Sequence, residues 1–285
     1  MRKSPRMDIE FKNIETNGVT LHTALAGPER GEPVILLHGF PDHWMAWRKQ
    51  IGPLAEAGYR VIVPDQRGYN LSSKPSGPRN YKYPILIDDI VGLAKALGYD
   101  RFNLIGHDWG AAVAWGIALK SPLNVKKLII LNAPIPTVFR AFMKKNVRQM
   151  RRSWYMGFFQ IPLLPELSIK KQFKKLVDKV IPDLSPDEKT QYLEALNQPR
   201  ALTCMLNWYR AIKFYEPRPH EELNVVVPTL ILWGKKDRYL RPELAELSRD
   251  KCDIGKLVMF DKSGHWVMVE EAERVNELIL NQLSS

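Results

Sequence analysis

Phe102-Asn-Leu-Ile-Gly106-His-Asp-Trp-Gly110 is a short apolar run that enters a G-x-D-x-G turn and continues into the helix-forming residues Ala111 to Lys120. Strand, tight turn and helix in that order make a nucleophile elbow, with aspartate where serine is more usual. The two glycines flank a residue held in a strained backbone conformation, where strand and helix pack too closely for side chains. Asp108 is thereby placed at the end of a strand, beside helix N-terminal amides that favour negative charge.

Outward from the elbow, short β-branched runs alternate with helical patterns. Val34 to Leu37, Tyr59 to Val63, Phe102 to Ile105 and Val125 to Leu131 read as strands bounded by Gly, Pro or Asp. Pro84 to Leu97 places Ile87, Ile90, Val91, Ala94 and Leu97 on one helical face, and Gly98 stops it. Near-continuous apolar strands separated by helices predict a parallel sheet covered on both faces. The alternation stops after Leu131, where Pro134, Pro136, Pro162, Pro165, Pro182 and Pro186 punctuate helical, basic and aromatic sequence as far as Pro219. It resumes with Val225 to Trp233, Lys256 to Phe260 and an amphipathic helix from Glu271 to Leu283. The expected organisation is an α/β core over 1–133 and 220–285, interrupted by a helical insertion over 134–219.

The chemistry gathers at strand ends. Leu230-Ile-Leu-Trp-Gly234-Lys-Lys-Asp237 ends a strand with an aspartate, and Ser263-Gly264-His265-Trp266 follows the next strand. Nucleophile, acid, histidine is the chain order an elbow fold requires, which makes Asp108, Asp237 and His265 a candidate triad. Asn132, at the rival position for the acid, carries no charge. A carboxylate nucleophile attacks a saturated carbon bearing a leaving group and forms an alkyl ester, which water activated by His265 then hydrolyses. That second step develops an oxyanion needing fixed donors; the backbone amides of Phe40, in His38-Gly-Phe-Pro41, and of Trp109 are the candidates. His107 is expected to pack and hydrogen-bond, and His43 to lie on a loop near the site; His22 and His220 belong to no pattern.

With 285 residues, 45% hydrophobic and 26% charged, the chain is long enough for one large domain and is not disordered. Cys204 and Cys252 are too few for a disulfide framework, and no metal, P-loop or dinucleotide motif is present, so no cofactor is expected. No apolar run reaches the roughly 20 residues of a membrane span, and Met1 to Asp8 leads into polar sequence, which predicts a cytoplasmic protein. The net charge is +11, and Phe139 to Asp183 holds eleven basic residues (Arg140, Lys144, Lys145, Arg148, Arg151, Arg152, Lys170, Lys171, Lys174, Lys175 and Lys179) against three acidic ones. That segment admits a weak contact with a membrane surface. No nucleic-acid partner is expected, and a monomer or homodimer is.

The chain resembles the α/β-hydrolase superfamily, and within it the soluble epoxide hydrolases, with the haloalkane dehalogenases as close relatives. The resemblance is carried by His38-Gly-Phe-Pro41 with Trp44 and Trp47, Asp65-Gln-Arg-Gly-Tyr69, Gly106-His-Asp-Trp-Gly110, Leu131-Asn-Ala-Pro134, Asn207-Trp-Tyr-Arg210, Trp233-Gly-Lys-Lys-Asp237 and Gly264-His-Trp266. It implies an eight-stranded, mostly parallel sheet with a helical cap, and conversion of an epoxide and water to a diol. It also implies two cap tyrosines that donate to the epoxide oxygen, Tyr209 in Asn-Trp-Tyr-Arg and Tyr155 in Trp154-Tyr-Met-Gly. His38, Phe40, Trp109, Phe158, Phe159, Leu163, Leu164 and Trp266 are expected pocket walls. The alternative is dehalogenation. It needs a second halide donor beside Trp109, and Phe40 offers none, so Trp208 or Trp154 would have to turn inward. A ligand receptor without catalysis is the remaining alternative, against which the triad is intact.

Overall fold

The computed structural model describes residues 9–285; the Met1 to Asp8 stretch and the Lys179 side chain lie outside the described residues. Eight strands form one sheet in the order β1-β2-β4-β3-β5-β6-β7-β8. They are β1 (Glu10–Thr16), β2 (Val19–Ala26), β3 (Glu32–Leu37), β4 (Tyr59–Pro64), β5 (Phe102–His107), β6 (Val125–Leu131), β7 (Thr229–Gly234) and β8 (Gly255–Phe260). β2 runs antiparallel to both its neighbours, and every pairing from β4 to β8 is parallel.

Because successive residues of a strand point to opposite faces, the buried parallel strands feed two cores. Val34, Leu36, Ile105, Ile129 and Leu232 face α1 (Arg48–Glu56) on one side. Ile35, Leu37, Leu104, Ile130 and Ile231 face α2 (Tyr83–Ala96) and α3 (Trp109–Lys120) on the other. α3 is buried along nearly its whole length, which explains why its sequence is apolar all round.

Between β6 and β7 the chain is helical: α4 (Pro136–Lys145), α5 (Val147–Arg152), α6 (Trp154–Phe158), α7 (Leu164–Lys170), α8 (Phe173–Val180), α9 (Pro186–Asn197) and α10 (Ala201–Arg210). The last part of the chain adds α11 (Glu243–Arg249), α12 (Val267–Glu270) and α13 (Ala272–Ser284).

The sequence leaves one hairpin unread and sets one strand limit too early. The β1–β2 hairpin carries no continuous apolar run, since β1 is an exposed edge strand, yet its turn is Asn17-Gly18 with both residues at positive φ, +44° and +73°. The strand expected from Val225 starts only at Thr229, after Pro228; Val225 makes an isolated bridge to Cys252. His43 lies on the loop that carries Phe40, as expected; it is buried, with its ring 4.6 Å from that of Tyr192, and lines neither cavity described below.

Candidate active site

Five adjacent strand ends converge. Asp108, between β5 and α3, has φ +51°, the strained turn that the elbow demands. A Cβ on Gly110 would fall 2.2 Å from the Leu37 carbonyl oxygen, so this side of the turn admits only glycine. A Cβ on Gly39, after β3, would meet the Asp108 Cβ at 2.3 Å. That close approach lets the Phe40 backbone N–H donate to Asp108 Oδ1 at 2.9 Å. The other carboxylate oxygen, Oδ2, faces His265 Nε2 at 3.4 Å.

On its far side His265 Nδ1 lies 2.7 Å from Asp237 Oδ2. Asp237, following β7, is 1% exposed and fully engaged. Its Oδ1 accepts from the amides of Tyr239 and Leu240 at 2.7 and 3.0 Å, and its Oδ2 also accepts from Asn132 Nδ2 at 2.8 Å. Asn132, at the end of β6, is thus a support for the acid. Burial opposes charge on the imidazole, but Asp237 and Asp108 on either side outweigh it and raise the His265 pKa to about 10. Burial likewise works against both aspartates, and His265 outweighs it, holding Asp108 and Asp237 below the usual carboxylate range.

Two cavities meet at this point. One, about 160 Å³, is walled by apolar and aromatic side chains that include Tyr83, Trp109, Phe139, Met156, Trp208 and Leu240. The other, about 340 Å³, runs past Phe40, Phe159, Tyr239, His265 and Trp266 to a rim of Arg151, Arg152, Trp154 and Arg238. Asp108, Tyr155 and Tyr209 are the three residues that line both. The two tyrosine rings meet edge to face at 6.0 Å, and Tyr209 also packs edge-on against Phe40 at 5.5 Å and Trp109 at 5.2 Å. Burial and then the nearby Asp108 charge push the Tyr155 phenol well above its usual pKa; for Tyr209, burial leads, then Tyr155 and Asp108. Both are protonated at neutral pH.

The expected pocket walls divide. Phe40, Trp109, Phe159 and Trp266 line the cavities. Leu163 and Leu164 do not: they are 72% and 51% exposed, because Leu163 sits at φ +64° ahead of α7 and the turn carries both outward. Phe158 packs on Trp154 and Phe159 and lines neither cavity. His38 is wholly buried under the turn: its Nε2 accepts from the Gln66 amide at 3.0 Å while Nδ1 meets the Gly39 carbonyl at 3.0 Å, so it braces the Phe40 amide and does not reach the cavities. His107 Nε2 bonds the His265 carbonyl at 2.9 Å. Tyr239 and the three rim arginines were not anticipated. Tyr239, two residues past Asp237, packs its ring on His265 at 5.2 Å, and only the proximity to Asp237 in sequence could have pointed to it. Among the described residues no cluster of three or more His, Cys, Asp or Glu side chains could hold a metal ion.

An aspartate pinned at a strained turn, a histidine between two carboxylates and a sheet of this order together define an α/β hydrolase. Residues 32–272 match the model of the alpha/beta hydrolase fold family, and the chain belongs to that family. It is 43% identical over 97% of its length to the AB hydrolase superfamily protein YfhM of Bacillus subtilis, 99% of which is covered. It is 36% identical to epoxide hydrolase 4 of Homo sapiens over 94% of this chain and 77% of that one. Among solved structures, an inhibitor complex of Bacillus megaterium epoxide hydrolase superposes with a TM-score of 0.89 at 31% identity, covering 96% of this chain and 100% of that one.

Proposed function

We propose that the protein hydrolyses epoxides to vicinal diols, with the helical residues 134–219 acting as a cap over the nucleophile. The carrying observation is that Asp108, Tyr155 and Tyr209 stand together where the two cavities join. An epoxide there has a carboxylate on one side of its ring and two phenols on the other.

Asp108 Oδ1 is occupied by the Phe40 amide, which leaves Oδ2 to attack the ring carbon. As the C–O bond opens, Tyr155 or Tyr209 gives its proton to the departing alkoxide, which stays attached to the product; a phenol is an acid of suitable strength for so basic an oxygen. The product of this step is an alkyl ester through Oδ2, with Oδ1 as its carbonyl oxygen. Esterification removes one of the two negative charges that hold the His265 proton, so the imidazole becomes a base only after the ester exists. The imidazolium hands its proton, by way of water, to the tyrosinate left by ring opening, and neutral His265 then takes a proton from the water that attacks the ester carbonyl carbon of Asp108. Charge develops on Oδ1, already in the Phe40 amide, with the Trp109 amide as second donor. Collapse passes the remaining proton of the added water to the leaving alkoxide, which releases the diol and restores the Asp108 carboxylate beside a protonated His265.

The dehalogenation reading loses its second halide donor. Trp208 Nε1 is committed to the Arg67 carbonyl at 2.9 Å, and Trp154 is 66% exposed. The test is to incubate wild type and Asp108→Ala with epoxides and with bromo- and chloroalkanes. Asp108-dependent diol without halide is expected; halide release would replace the epoxide reading with dehalogenation.

A further inference from the structure

Residues 147–167, which hold α5, α6 and the start of α7, expose large apolar side chains. Val147, Met150, Trp154, Leu163, Leu164 and Leu167 all stand largely in solvent. Soluble proteins rarely gather such residues in one stretch without a partner. The flanks are basic: Arg148, Arg151, Lys170, Lys171, Lys174 and Lys175 are exposed, and among the described residues none of them makes an ion pair. The acidic side chains of the region are already taken, Asp178 by Lys189, Asp183 by Lys49 and Glu166 by Arg210. In α8, Phe173 and Val177 turn inward while Lys174 and Lys175 turn out.

We propose that this surface docks on an anionic lipid bilayer, so that the cavity rimmed by Arg151 and Trp154 opens at the membrane. Only such a partner fits both halves of the surface. Leucines and a tryptophan enter the headgroup and acyl boundary while lysines meet lipid phosphates. A nucleic acid would leave the leucines in water, and a second copy of the chain would set cation against cation. Resting on the epoxide reading, the placement identifies the substrates as lipophilic epoxides that enter from the bilayer, past Trp154, into the larger cavity.

Flotation with phosphatidylglycerol/phosphatidylcholine vesicles at physiological salt tests this without reference to catalysis. Wild type is expected to float with these vesicles and not with pure phosphatidylcholine. Lys170→Glu with Lys174→Glu lowers the partition by at least about 25-fold, from about fivefold per cation, and Leu163→Ser with Leu164→Ser lowers it by at least about tenfold. Removing two exposed cations elsewhere, Lys251→Glu with Lys256→Glu, has little effect. The proposal is overturned if wild type stays unbound, if the distant pair matters as much as the local one, or if the serine pair binds like wild type, which is the behaviour of bare electrostatic attraction to any polyanion. Thermal unfolding checks that each variant folds. Diol formation from a water-soluble epoxide by the serine pair reports separately on the catalytic reading.

Discussion

Replacing Asp237 with asparagine changes one atom, and the hydrogen bonds around that atom dictate the outcome. Oδ1 accepts two backbone amides, from Tyr239 and Leu240, so the amide oxygen of the new side chain has to take that place. Its NH2 group then occupies the Oδ2 position, facing His265 Nδ1 and Asn132 Nδ2, where the wild type presents an acceptor to two donors. His265 resolves its conflict by moving its proton to Nε2, the nitrogen that should accept a proton from water. The wrong tautomer costs about 10⁴-fold in the corresponding serine-protease triad, and a loss of about 10³-fold to 10⁴-fold in steady-state turnover is expected here. Asn132 Nδ2 keeps only its long bond to the Gly234 carbonyl at 3.5 Å, and loss of the shorter one costs about 0.5–1.5 kcal/mol of stability. Because attack by Asp108 needs no base, ester formation should survive. Rapid mixing followed by intact-protein mass spectrometry should show one substrate-sized adduct per chain within a turnover that takes minutes to complete. Turnover within about tenfold of wild type, or slow turnover with no adduct, would refute this account of the acid and of the covalent step.

Tyr155→Phe and Tyr209→Phe should each lower kcat by about tenfold, and together by about 10³-fold to 10⁴-fold, more than the product of the two, since each phenol can partly stand in for the other; a double loss no greater than that product would assign the proton to water. Gly39→Ala forces a methyl group to 2.4 Å from Asp108 Oδ1. The resulting shift of about 1 Å should cost about 10²-fold in kcat while circular dichroism stays that of the wild type; full activity would show that the turn yields elsewhere. His265 has a folded pKa near 10 against about 6.5 unfolded, so its stabilisation is complete below about pH 6.5 and lost as pH rises through 10. Comparing urea midpoints at pH 6, 8 and 10, the gap between wild type and His265→Gln should shrink toward alkaline pH. A constant gap would mean that the imidazole is neutral throughout.

The parts of the fold legible in the sequence are those buried on both faces. Val125 to Leu131 is apolar almost without interruption because helices cover the sheet on either side, and its predicted limits coincide with β6. β1 lies at the exposed edge and β2 alternates with Thr20 and His22, so neither stands out as an apolar run; the Asn17-Gly18 turn is the local signal that marks the hairpin. Asp108, Asp237 and His265 are readable because each closely follows a strand, where a parallel sheet gathers its loops at one end. The cavity walls depend on which way helices of the 136–210 region turn their faces, which composition does not reveal. Ile161 to Leu164 is as apolar as a pocket wall, yet it is turned to solvent, while Arg238 and Tyr239 reach the site from what looks like ordinary polar loop and Arg151 and Arg152 from a basic helix.

Asp108 stands at a fork. A substrate with two unlike substituents has to send one into the small aromatic branch of about 160 Å³ and the other along the wider branch that ends among arginines. Under the proposed reaction, that sorting decides which ring carbon is presented to Asp108 before any bond changes. Regiochemistry then becomes a property of walls outside the triad: Phe139 and Met156 on one side, Phe159 and Trp154 on the other, are positions at which exchanging bulk redirects attack from one carbon to its neighbour.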